Sequence, residues 1–218
     1  MRDTVTLRGV VIRTQPIGEY DKRLVILTRE RGKITAFARG VRRAKSPLIA
    51  AVNPFVFAEF ALYEGRDSYT LAGAEVKEYF SDLARMMTAV FYGYYVLEMA
   101  EYFGQEGLEA YDTVDLIYVT LKALMKGSLD PDLIRSIYEI RSFVINGVYA
   151  VPEQNEIGDD HIWKAFWWAA AAPFKKLYSF TSDPQIEKAM IAEAERVRER
   201  NVDRRFKTLD MIEGMCSE

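Results

Sequence analysis

Arg39, Arg42, Arg43 and Lys45 fall within the stretch "ARGVRRAKSP", positions 38 to 47, with no acidic residue among them. Cations at that density suit phosphates. Each phosphate neutralised releases condensed counterions, so binding weakens steeply with added salt. The stretch just before, "GKITAFARG", alternates as a strand, with Lys33, Thr35, Phe37 and Arg39 on one side and Ile34, Ala36 and Ala38 on the other. If the first set faces outward, cations and an aromatic ring share one surface. Single strands are held in this way, a stacked base contributing ~1 to 3 kcal/mol. Alternation alone leaves Phe37 either outward or in the core. The plain alternative for the loop is a solvated basic face, or one paired with acidic residues elsewhere.

The chain around this loop is acidic, with 29 Lys+Arg against 32 Asp+Glu and a formal net charge of −3 over 218 residues. Positions 1 to 80 nevertheless hold 14 basic and 9 acidic residues, and positions 1 to 46 hold 12 and 4. Such asymmetry points to a polyanion partner for one part of the chain. Half the residues are hydrophobic, enough for a real core in one or two domains. The start, "MRDTVTLRGVVIRTQPIGEYDKR", has no apolar run of signal-peptide length, and no later run approaches ~18 uncharged apolar residues. A cytoplasmic protein with no membrane partner is expected. Cys216 is the single cysteine, so neither an internal disulfide nor a multi-cysteine metal site can form, and a free thiol on a loose tail is expected.

Catalytic chemistry has little to stand on. There is no G-x-x-x-x-G-K-[ST] and no G-x-G-x-x-G, which removes the usual signs of nucleotide hydrolysis or a dinucleotide cofactor. His161 is the only histidine. Preceded by Asp159 and Asp160, it reads as the first turn of a capped helix in preference to part of a nucleophilic triad. Glu193 and Glu195 lie on a charged helix and read as a solvated face.

The elements that must position the cations fall into two halves. Up to about residue 80, "TLRGVVIRT", "RLVILT", "KITAFARG", "PFVFAEFALYE" and "SYTLAGAEVKEY" read as five short strands, with turns at Arg31-Gly32 and Glu64-Gly65-Arg66-Asp67. Five strands in so short a unit suit a closed barrel, the OB-fold above all. After Ser81 the apolar period becomes helical: residues 82 to 103, then Val114 to Met125 with Gly127 as a stop, then two helices opened by Asp130-Pro131 and Asp183-Pro184. The expected class is therefore α+β, a five-stranded OB-fold β-barrel over 1–80 followed by an all-α domain over 81–218. The aromatic run "HIWKAFWWAAAAPFKKLYSF" reads as core packing.

The segment "GEYDKRLVILTRERGKITAFARGVRRAKSPL", residues 18 to 48, with Pro54-Phe55 and "LYEG" after it, resembles the amino-terminal signature of the RecO family of bacterial recombination mediators. Weaker likenesses continue in "YEIRSFVINGVYAVP" and "DRRFKTLDMI". The resemblance implies an OB-fold joined to a helical domain, a role in DNA repair and recombination, binding of single- and double-stranded DNA, and annealing of complementary strands without nucleotide hydrolysis or cofactor. It implies as partners RecR, the acidic, apolar tail of single-stranded DNA-binding protein, and indirectly RecA. Many relatives carry a four-cysteine zinc site; residues 153 to 180 have no cysteine. No zinc is expected, with the Trp163, Trp167 and Trp168 region supplying apolar burial instead. The expected phosphate contacts are Lys33, Arg39, Arg42, Arg43 and Lys45, then Arg29, Arg31, Arg13 and Arg23, whose strand positions could equally hold the fold. Arg204, Arg205 and Lys207 either extend the path or cap the last helices. For the partner tail, Arg135 and Arg141 on the central helix are candidates for a cationic rim, or else ordinary surface cations. The competing reading is a protein-interaction module whose basic loop docks an acidic partner.

Overall fold

Five stretches rich in β-branched and aromatic residues become five strands in the computed structural model, which describes residues 3–179, 181 and 183–215. Cys216 lies outside the described residues. The strands are β1 (Thr4–Ile17), β2 (Asp21–Thr28), β3 (Gly32–Ala38), β4 (Phe57–Glu64) and β5 (Tyr69–Glu78). They close in the order β1-β2-β3-β5-β4, and β3 meets β5 in parallel through Ala36↔Tyr69 and Phe37↔Thr70. This is the five-stranded OB-fold barrel expected from the sequence. Closure depends on β1, which pairs with β4 along Thr4–Val10 and with β2 along Gly9–Ile17. A Cβ at Gly9 would stand 2.2 Å from the Leu27 carbonyl oxygen, so a residue without one lets the two strands approach where β1 changes partner. A register shift between Val11 and Arg13 adds the bend.

Leu7, Val11, Leu24, Ile26, Ile34, Phe60 and Leu62 fill the barrel. The long β3–β4 connection contributes Val41, Val52 and Val56 to the same cluster, so it lies on the barrel and is no free loop. The compact unit holding the barrel runs to Asp82 and also takes in Leu97–Val114. Backbone bonds explain why. Lys33 N–H donates to the Gln105 carbonyl at 2.9 Å, Gly107 N–H to Arg31 at 3.0 Å and Ala110 N–H to Arg29 at 2.9 Å. Gly32, at φ +62°, sits under this strap: a Cβ there would be 2.1 Å from the Gln105 oxygen. The turn therefore needs glycine twice over, for its backbone conformation and for space.

The second unit comprises Leu83–Val96 and the chain from Asp115 onward. The helices are α1 (Met87–Phe103), α2 (Tyr111–Lys126), α3 (Pro131–Ile145), α4 (Gln154–Ile157), α5 (Asp160–Ala171), α6 (Pro184–Asn201) and α7 (Lys207–Met215); α1 and α2 contribute residues to both units. The Asp-Pro starts work as expected. Asp130 accepts from Asp132 N–H, and Asp183 accepts from Gln185 and Ile186 N–H, each with proline inside the first turn.

α3 is the core helix, buried from Leu133 through Phe143. Its Glu139 is fully buried, accepting from Tyr95 Oη at 2.5 Å, Arg135 Nη1 at 3.1 Å and Arg198 Nη1 at 2.9 Å. Burial opposes the Arg135 charge, but Glu139 and Asp132 more than offset it and its pKa rises. The tryptophans correct an expectation: the buried face of α5 is Ala165, Phe166, Ala169 and Ala170, while Trp167 is 46% exposed. Indole N–H groups need acceptors, and Trp163 reaches the Pro152 carbonyl at 3.2 Å and Trp168 that of Leu177 at 3.1 Å, which leaves both rings only partly buried.

Two substitutions test this packing. Gly32→Ala is expected to cost at least about 2 kcal/mol in urea denaturation of the full chain, against about 1 kcal/mol for Gly18→Ala. Both positions have positive φ, but the added methyl at Gly18 meets nothing within 4 Å. Glu139→Gln removes the buried carboxylate shared by Arg135 and Arg198, leaving Arg135 with Asp132 alone, and should cost about 3–5 kcal/mol. Arg196→Gln, which breaks the more exposed pair with Glu193, should cost under about 1 kcal/mol by the same measurement.

Candidate nucleic-acid interface

The β3–β4 connection, residues 39–56, is anchored by Val41, Ala51, Val52, Phe55 and Val56, all buried. Its backbone is tied to β1 at one end, Phe55 N–H donating to Val11 O at 3.1 Å and Val11 N–H to Val56 O at 3.0 Å. At the other it is tied to the β1–β2 turn, Arg42 N–H donating to Tyr20 O at 2.9 Å and Gly40 N–H to Asp21 Oδ1 at 2.7 Å. With the apolar residues directed inward, Arg39, Arg42, Arg43 and Lys45 are left exposed. Among the described residues none of these four has a carboxylate in ion-pair contact. Arg42 Nη1 donates to the Gly18 carbonyl at 3.2 Å, and the Arg43 guanidinium lies 5.1 Å from the centroid of the Tyr20 ring, itself 42% exposed. The side-chain contacts of Arg42 and Arg43 are thus to a carbonyl and a π face, and the Asp21 carboxylate nearby is spent on the Gly40 N–H.

The outer wall of the barrel continues this surface. Ile34, Ala36 and Ala38 are buried and Lys33, Thr35 and Phe37 are not, which decides the alternation in favour of Phe37 facing outward, half-buried. Gln15↔Arg23, Arg23↔Phe37 and Phe37↔Thr70 are register partners, so Phe37 has Arg23 directly beside it on β2 and Arg39 two positions on. A ring flanked by guanidinium groups can take a stacked base while the cations meet its phosphates.

Other expected cations are engaged inside the barrel unit. Arg13 Nη2 is 2.9 Å from Glu101 Oε1, and Lys33 Nζ donates to the Glu101 carbonyl at 2.9 Å. Arg31 Nη1 donates to Glu64 Oε1 and Tyr69 Oη, each at 2.7 Å, and these bonds raise its pKa. Arg29 stands at the β2–β3 turn, half-buried, its backbone bonded to Arg8 and Ala110. The side chains of Arg13, Lys33 and Arg31, and the backbone of Arg29, thus help to hold the barrel unit together.

Arg135 and Arg141 are not surface cations. They are 9% and 8% exposed, Arg135 bound to Glu139 and Asp132, and Arg141 donating to the Ala170 and Ala172 carbonyls at the end of α5, 5.1 Å from the Phe174 ring. A guanidinium so buried offers no rim to a docking tail. Arg205 pairs with Asp210 at 2.8 Å across the start of α7. His161 is exposed, and Asp159 caps α5 by accepting from His161 and Ile162 N–H. Among the described residues no group of three or more His, Cys, Asp or Glu could hold a metal ion, and no helix is long and apolar enough to cross a membrane.

Sequence reasoning passed over Lys22. It shares the inward parity of Leu24 and Ile26 but lies at the mouth of the barrel, where Nζ donates to Asn53 Oδ1 at 3.0 Å. Burial, and then the Arg42 charge, hold its pKa below the ordinary lysine value. A lysine in phase with a buried apolar run was the signal available.

Comparison with known proteins agrees with this architecture. Residues 1–80 match the family model described as recombination protein O N terminal. DNA repair protein RecO of Alkaliphilus metalliredigens is 35% identical over 144 residues, 66% of this chain and 58% of that protein. Its counterpart in Caldicellulosiruptor saccharolyticus is 30% identical over 145 residues, 66% of this chain and 59% of the relative. That of Bacillus subtilis is 31% identical over 147 residues, 67% and 56%. The matched stretch thus spans less than two thirds of the length of these relatives. With a closed OB barrel and these matches, residues 1–80 are an amino-terminal domain of the RecO family, and the chain is similar to RecO proteins over about two thirds of its length.

Proposed function

We propose that this protein is a non-enzymatic DNA repair and recombination mediator that binds single- and double-stranded DNA through the barrel and anneals complementary strands. The observation that carries the reading is the set of four exposed cations, Arg39, Arg42, Arg43 and Lys45, which lack carboxylate partners among the described residues and adjoin Phe37 and Arg23. Annealing brings two polyanions together before base pairing can compensate their repulsion. A cationic surface lowers that barrier and needs neither nucleotide nor metal. By likeness to the RecO family the reading extends to action with RecR, contact with the tail of single-stranded DNA-binding protein, and loading of RecA onto the coated strand in the cytoplasm.

Labelled oligonucleotide should bind with a log affinity that falls linearly with log salt, at about 0.7 per single-strand phosphate engaged. Arg42→Glu with Arg43→Glu should reduce that slope by at least about 1.4, and in parallel suppress annealing of two complementary oligonucleotides without nucleotide or metal. Binding that ignores salt, or an oligonucleotide left unshifted at low salt, would overturn the reading in favour of an acidic protein partner. Phe37→Ala should weaken single-strand affinity by ~1 to 3 kcal/mol with the salt slope kept, as measured by fluorescence anisotropy.

A further inference from the structure

Lys22 and Arg42 are two cations on adjoining segments at the end of the barrel, with no acidic residue in ion-pair contact with either among the described residues. Lys22 cannot retreat: it is on β2, in register with Pro16 and Ala38, and its stem follows the inward parity of the strand. Arg42 is held through its backbone N–H on Tyr20 O and its Nη1 on Gly18 O. Among the described residues neither has a carboxylate in ion-pair contact. Each spends one donor on a neutral oxygen, Asn53 Oδ1 for Lys22 and Gly18 O for Arg42, and keeps the others.

We infer that Lys22 and Arg42 form a fixed seat for one phosphodiester of a bound single strand, with Lys22 as a contact residue and Asn53 orienting its ammonium. The inference rests on the nucleic-acid reading above and names within it the ordered contact, as distinct from the freer cations of the loop. Like charges held together unpaired cost free energy in the empty protein, and an anion between them relieves it. Burial first, and the Arg42 charge second, hold the pKa of Lys22 below the ordinary lysine value, and an anion at this point would oppose both. An ammonium and a guanidinium on adjoining segments, the Arg42 N–H being bonded to Tyr20 O two residues before Lys22, suit a tetrahedral oxyanion, the guanidinium offering paired donors and the ammonium a compact charge. A phosphate seated at the barrel mouth would start the strand's path towards Arg23 and Phe37 on the outer wall.

The test uses the full-length chain and a fluorescent oligothymidylate. Lys22→Gln, which keeps a donor for Asn53, should lower the salt slope by about 0.7 with its thermal midpoint unchanged. Lys22→Arg should restore the slope, and Lys77→Gln, which removes a β5 cation paired with Glu59 and Glu75, should leave it as in the parent. In the unaltered protein the ¹³Cε resonance of Lys22 should titrate at higher pH once oligothymidylate is bound, a shift that a purely structural latch would not give. An unchanged slope in Lys22→Gln, or an unmoved titration, while the Arg42→Glu, Arg43→Glu pair still flattens the slope, would overturn this inference and leave the DNA-binding reading standing. Salt-independent binding by the parent protein would remove both.

Discussion

Four like charges on one connection repel, and what keeps them together is the burial of the connection's apolar residues on the end of the barrel. Two exposed like charges about 7 Å apart repel by roughly 0.6 kcal/mol in water. Each buried Val or Phe contributes ~1.5 to 3 kcal/mol on an extended-chain reference, an upper estimate. Val41, Val52, Phe55 and Val56 thus outweigh the mutual repulsion of the cations. The connection is a fixed platform with a positive upper side. Its strain is visible as well: Lys45 and Phe55 have φ of +68° and +72°, a region L residues rarely adopt, tolerated where the surroundings over-determine the backbone.

The barrel unit sorts its cations by whether a partner is built in. Arg13, Arg31 and Lys33 meet Glu101, Glu64, Tyr69 and a backbone carbonyl, and with the backbone bonds at Gln105, Gly107 and Ala110 they bind the 97–114 segment and the β4–β5 turn to the strands. Arg39, Arg42, Arg43 and Lys45 are left with neutral partners or none. Surface pairs of the first kind contribute little stability each. Their larger consequence is to withdraw the charges of Arg13 and Arg31 from any external polyanion.

The helical unit solves a different problem with the same residue types. Glu139 is placed where guanidinium and phenol donors reach it, and the cluster of Arg135, Arg198 and Tyr95 satisfies it. Buried ion clusters of this kind add little net stability relative to apolar packing, yet removing one member is costly, because the remainder is left charged and dry. Arg141 plays a related part, closing the carbonyl end of α5. Arginines in a helical sequence pattern are thus poor evidence of a surface.

Local chemistry made much of this legible in advance. Strand alternation around Ile34, Ala36 and Ala38, the glycine turn at Gly32, and the Asp-Pro starts of α3 and α6 follow from short-range sterics and hydrogen bonding, which the neighbours in sequence determine. The density of cations between 39 and 45 was equally plain. What only the tertiary structure decided is which charges remain available. Lys33 meets its acceptor 68 residues along the chain, Arg31 meets Glu64 across the barrel, and Arg198 finds Glu139 59 residues away. Lys22 counts as a site residue because a loop residue, Asn53, and Arg42 arrive beside it. Pairing of charges is a matter of distance in space, and a sequence records only distance along the chain.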